Sequence, residues 1–170
     1  MSASVSTVTL PDIRSLVPHA GPMVLLDRVV AVDEESLCAE LEIKCDTLFC
    51  DGKEVGAWIG VEYMAQAIAA HAGYLASLRG ESAKIGFLLG SRRYECNRPS
   101  FIVGEVLQVS VQRALQGENG LGAFECRIDV AGENKMANET AGIPAAKATI
   151  TVFQPNSVVE FMNGRNEGGL

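Results

Sequence analysis

The stretch from Ala57 to Leu78 constrains the fold most. It is Ala-rich, and Glu62 is its only acidic residue. Val61, Met64, Ala65, Ile68, Ala72 and Leu75 recur with helical spacing, which predicts a helix from Val55 to about Arg79 closed by Gly80. A helix apolar around most of its circumference must be wrapped by other parts of the protein. The rest of the chain supplies strands to do so.

Met23 to Val32 is rich in Val and Leu, and Ser36 to Cys45 alternates apolar and polar residues, so together they read as a hairpin. After the helix, Lys84–Tyr94, Glu105–Gln116, Gly120–Val130 and Ala145–Phe153 read as four more strands, separated by turn residues. Leu10 to Val17 forms one or two helical turns, with Pro11 in the first turn and Pro18 as the stop. The order predicts an α+β fold, an antiparallel sheet wrapped around one long central helix. Residues 1–153 form a single domain, and 154–170 a mobile C-terminal tail with one apolar patch at Val158–Met162.

Charge and cysteine content exclude several roles. Fourteen Lys and Arg stand against 21 Asp and Glu, a net charge of −7, which argues against nucleic-acid binding. No apolar run is long enough to span a bilayer, and the N-terminus lacks the pattern of a signal peptide. Cys38, Cys45, Cys50, Cys96 and Cys126 lack paired spacing, which fits a reducing cytoplasm and small buried residues in strands. With only two histidines and such scattered thiols, no metal site is expected, and no cofactor.

Several residues are candidates for chemistry. Glu62 is either a desolvated carboxyl suited to general acid work or a partly exposed residue at a helix start. Gln66 lies one turn on, within reach of that carboxylate or of a ligand. His71 is nine residues beyond Glu62, about half a turn off and roughly 13 Å along the axis, so the two cannot cooperate on one helix. It reads as a packed or partly exposed residue. His19 sits in Pro18-His19-Ala20-Gly21-Pro22-Met23, stiffened by two prolines, and is either a functional base or a turn cap. Gly56 and Gly60 flank the helix start, where free N–H groups can cradle an oxyanion, though glycine is also common there.

Leu16-Val17-Pro18-His19-Ala20-Gly21-Pro22-Met23-Val24-Leu25-Leu26-Asp27-Arg28-Val29 resembles the opening of the β-hydroxyacyl-acyl-carrier-protein dehydratase family. Val61-Glu62-Tyr63-Met64-Ala65-Gln66-Ala67 resembles its central-helix motif, and Arg98-Pro99 with Gly104-Glu105 its turn. The wording around His19 is similar to the dehydratase-like subunit of aryl-polyene biosynthesis. The resemblance implies the hotdog fold, a homodimer or a heterodimer with another hotdog subunit, and loss of water from a 3-hydroxyacyl thioester in fatty-acid or polyene-type synthesis. The partner it implies is an acyl-carrier protein bearing a phosphopantetheine thioester.

Glu62 matches the family's helix carboxylate, and the family's oxyanion glycine falls at Ala57, with Gly56 beside it. The family's usual histidine has no counterpart, since Leu48-Phe49-Cys50-Asp51-Gly52-Lys53 holds none. The expected catalytic residues are therefore Glu62 and His19, with Gly56, Ala57, Gly60 and Gln66 binding substrate. Arg92, Arg93 and Arg98, with Lys84 or Arg79, would dock an acidic carrier. Ala65, Ala69, Ala70 and Gly73 would leave room for an acyl tunnel. A non-catalytic subunit of a heterodimeric dehydratase and an acyl thioesterase are the alternatives.

Overall fold

A computed structural model describes residues 10–132 and 142–155. Eight strands follow in chain order: β1 (Arg28–Val32), β2 (Ser36–Glu42), β3 (Glu54–Gly56), β4 (Phe87–Cys96), β5 (Ser100–Ile102), β6 (Val106–Gln116), β7 (Leu121–Val130) and β8 (Ala146–Phe153). The helices are α1 (Ile13–Leu16) and α2 (Gly60–Leu78). Six strands form one antiparallel sheet in the order β1-β2-β6-β7-β8-β4, and β3 pairs with β5 apart from it.

Strand alternation puts Leu37, Ala39, Leu41, Leu107, Val109, Val111, Ile128 and Ile150 in the core with Tyr63, Met64 and Ala67 of α2. Each fully buried large side chain here contributes about 1.5–3 kcal/mol. The expected sheet around a central helix is what forms. Helix α1 crosses α2 where Gly73 allows it, since a Cβ there would lie 1.9 Å from the Leu16 carbonyl oxygen.

Element boundaries depart from the periodicity at three places. Val55 and Gly56 pair with Phe101 and Ser100, and Ala57–Ile59 is a 3-10 turn, so α2 begins only at Gly60. Helical spacing of the apolar residues could not distinguish that short ribbon, nor β5 opposite it. Glu62 consequently sits in the first turn of α2. Strand β1 starts at Arg28 rather than Met23, because Gly21–Met23 is a 3-10 turn and the Leu25 amide is taken by Gln66. Pro11 precedes the cap of α1 rather than entering its first turn; the Asp12 carboxylate accepts from the Arg14 amide.

The end of α2 follows expectation. Gly80 at φ +71° lets its N–H reach the Ser77 carbonyl and the Glu81 N–H reach Ala76, which satisfies the last turn. Cys126 is buried, but Cys45 is exposed and lies with Cys50 in the loop before β3, so not all the thiols are buried strand residues. All five are free. The Val158–Met162 patch lies outside the described residues.

Candidate active site

A cavity of about 270 Å³ runs along one stripe of α2 formed by Glu62, Ala65, Ala69 and Ala72. Spacings of three and four residues keep this stripe on one face, and from Glu62 to Ala72 it extends about 15 Å. Pro18 and His19 close the end nearest Glu62, while Phe124, Phe87, Val152 and Phe153 supply apolar walls from the sheet. Lys84, Gln116 and Gln154 bring polar groups to the lining. The small side chains of α2 make the space; a larger residue would fill it.

Nε2 of His19 lies 3.7 Å from Oε1 of Glu62, with the two side chains 28% and 35% exposed. The carboxylate is thus neither sealed in the core nor free in solvent: it stands in a cavity wall. Nδ1 of His19 is buried and has no hydrogen-bond partner among the described residues.

Gln66 is fully buried and ties three groups together. Its Oε1 accepts from the Leu25 N–H at 2.9 Å, and its Nε2 donates to the Met23 carbonyl at 2.8 Å and to Glu62 Oε1 at 2.9 Å. It is an internal clamp and contributes no wall to the cavity.

The glycine cradle expected at the helix start is occupied by the chain itself. The Ala57 N–H donates to the Pro99 carbonyl, and the Gly60 N–H to the carbonyls of Ala57 and Trp58. A Cβ on Gly60 would lie 2.3 Å from the Tyr94 hydroxyl, which donates to the Ala57 carbonyl; one on Gly56 would lie 1.9 Å from the Trp58 ring. Gly56, Ala57 and Gly60 therefore admit aromatic side chains of this chain, and none of them lines the cavity.

Other expectations divide. Ala65 and Ala69 line the cavity, whereas Ala70 is fully buried and Gly73 receives α1. Arg98 is not an exposed docking residue: it donates to Glu105 at 2.6 Å and to the Ser100 carbonyl at 2.9 Å, and lies over the Phe101 ring. Arg92 and Arg93 are exposed on β4. Arg79 is engaged with Glu81, and Lys84 lines the cavity while pairing with Glu81 at 3.0 Å.

His71 is 1% exposed, with Nε2 at 3.1 Å from the Asp33 carbonyl and its ring edge-on to Phe124. Burial holds its pKa below the ordinary 6.5. Burial likewise pushes the Tyr63 phenol up to about 12, so this neighbour of Glu62 stays neutral. Sequence reasoning missed Tyr94, Trp58 and Phe124, whose positions depend on long-range packing and leave no local pattern.

The whole chain also has recognisable relatives. A family model described as ApeP dehydratase matches residues 11–163. The chain belongs to the ApeP-like dehydratase family. The dehydratase heterocomplex ApeI:P from Xenorhabdus doucetiae contains a chain 28% identical, covering 94% of this chain and 100% of that one, with a TM-score of 0.79. More distant structures show the shared hotdog fold alone. A hypothetical thioesterase from Streptococcus pneumoniae TIGR4 with coenzyme A is 12% identical, covers 75% of this chain and 84% of that one, and has a TM-score of 0.55. The E. coli PaaI protein is 14% identical, covers 74% and 80%, and has a TM-score of 0.53. No curated protein matches the sequence. No helix among the described residues is long and apolar enough to cross a membrane.

Proposed function

We propose that this chain dehydrates 3-hydroxyacyl thioesters carried by an acyl-carrier protein in aryl-polyene biosynthesis, with His19 as base and Glu62 as acid. The observation that carries the reading is the 3.7 Å approach of His19 Nε2 to Glu62 Oε1 in the wall of an acyl-sized cavity. Nε2 takes the C2 proton, the C2 electron pair forms the C2=C3 double bond, and the C3–O bond breaks. Glu62 protonates the departing hydroxyl, which leaves as water. The histidine then holds one proton more and the carboxyl one fewer. Return of that proton from Nε2 to the carboxylate resets the pair, and their proximity supports this step.

A heteromer with a second hotdog subunit is part of the proposal. The ApeI:P relative is itself a heterocomplex. Among the described residues, β4 has a neighbour on one side only, and Leu88 and Leu89 on it are 45% and 56% exposed. An apolar edge strand of this kind is an invitation to pairing. Because Phe87 and Leu88 also line the cavity, a partner on that edge would help enclose the substrate. Exposed Arg92 and Arg93 on the same strand, with Lys84 at the cavity, are the proposed contacts for the acidic carrier. Five free thiols suit the reducing cytoplasm, to which we assign the chain.

The test is an assay of one 2-enoyl and one 3-hydroxyacyl pantetheine thioester with the purified chain, alone and with a hotdog partner. Water addition or loss read by enoyl absorbance, without release of free thiol, supports the dehydratase. Thiol release would instead make the chain a thioesterase. Turnover only in the complex, retained there when His19 and Glu62 are replaced, would make this subunit non-catalytic.

A further inference from the structure

We infer that Gln66 is a positioning residue that locks the His19 segment onto α2 and orients the Glu62 carboxylate toward His19. The inference rests on the proposed roles of His19 and Glu62 and assigns a reason for their geometry. The orientation of the Gln66 amide is fixed by its partners. The Leu25 N–H can only donate, so it requires the amide oxygen; the Met23 carbonyl can only accept, so it requires the amide nitrogen. With those two bonds made, the remaining N–H is committed to Glu62 Oε1.

Two consequences follow. Met23 and Leu25 lie just beyond the His19–Pro22 segment, so this one buried side chain ties the strand-free stretch before β1 to the helix that bears Glu62. Removing it frees His19 to drift from the carboxylate, and a displacement of about 1 Å is enough to cost roughly a hundredfold in rate. Glu62 Oε1, which receives the amide hydrogen and faces His19 Nε2, acts as an acceptor. The same bond fixes the orientation of the carboxylate, holding Oε1 toward His19. Gln66 lines no part of the cavity, so it exerts both effects without touching substrate.

The chain holds only two histidines, which makes the test direct. Proton NMR resolves two imidazole Hε1 signals, with buried His71 reporting the fold and His19 reporting the site. Gln66→Met fills the same space without donor or acceptor, and Gln66→Asn keeps the amide on a stem one methylene too short. We expect either variant to move or broaden the His19 signal and leave that of His71 in place. Hydration of a 2-enoyl pantetheine thioester should show kcat lowered about a hundredfold and KM changed less than about threefold. An unmoved His19 signal overturns the inference, as does a change confined to KM, which would make Gln66 a substrate contact. Loss of the His71 signal in both variants also overturns it, because Gln66 would then be a core residue only. If the wild-type protein fails to turn over, the proposed function fails, yet the His19 signal still decides whether Gln66 positions it.

Discussion

The Tyr94 hydroxyl reaches across Gly60 to donate to the Ala57 carbonyl, joining β4 to the turn that starts α2. The glycine is required by this crossing. Gly60→Ala would gain up to about 1 kcal/mol of helix propensity, but its Cβ would lie 2.3 Å from the hydroxyl. Overpacking of this kind costs about 1–3 kcal/mol, so it wins, and chemical denaturation should find the variant less stable. In a Tyr94→Ala background the same substitution should become neutral or stabilising. Unchanged destabilisation there would sink the explanation.

The cavity stripe predicts selectivity by length. Ala69→Leu projects a branched side chain into the middle of the space, roughly 10 Å along α2 from Glu62. Hydration of a long 2-enoyl thioester should fall by tenfold or more in kcat/KM, while a four-carbon substrate should be nearly unaffected. Equal loss for both lengths would mean that the acyl chain runs elsewhere. Gly73→Ala makes the useful contrast: its Cβ meets the Leu16 backbone, so it should lower stability whatever the substrate.

Much of this was legible in the sequence because it is local. The Glu62–Ala72 stripe follows from helical spacing, and the Gly80 cap and the strands after α2 follow from apolar runs and turn residues. What escaped is what distant segments decide. The Val55–Gly56 pairing with Ser100–Phe101 hides inside an apolar run, so the predicted helix began too early. Of the two readings open for Glu62, the helix-start one holds: it is a first-turn residue, partly exposed in a cavity wall. Gly56 and Gly60 matched an oxyanion cradle by position, but Trp58 and Tyr94 occupy the space beside them. His19 could be named as a candidate and not placed, because its position depends on Gln66 gripping the backbone beyond it.

Carrier docking should separate Arg92 and Arg93 from Arg98. Arg92→Glu with Arg93→Glu should raise KM several-fold for a carrier-borne substrate and leave a pantetheine substrate unchanged, with the difference shrinking as salt is added. Arg98→Ala should lower stability by removing the partner of Glu105. Equal effects of the charge reversal on both substrates would remove β4 from the docking site.

His71 should make stability depend on mild acid. Its pKa is depressed in the folded chain, chiefly by burial and further by Arg113, against the opposing Asp33 carbonyl and carboxylate and the Glu34 backbone. In the unfolded chain it titrates near 6.5. Stability from the neutral ring is therefore complete above that value and declines as pH falls toward the lower folded value, because only the unfolded state takes up the proton. Urea midpoints measured from pH 7.5 to 5 should drop through this window, and less so in His71→Phe. A flat wild-type profile would contradict the buried neutral imidazole.

The most direct test of the central claim is a double-mutant cycle on His19→Ala and Glu62→Gln, read as hydration of a 2-enoyl thioester by the full chain with its hotdog partner. General acid and base groups contribute about 10²–10⁴-fold each, and groups that act as one unit do not add. Each single variant should lose activity in that range, and the double variant should be hardly slower than the worse single. Near wild-type turnover in either single variant, or losses that multiply in the double, would contradict a His19–Glu62 catalytic pair.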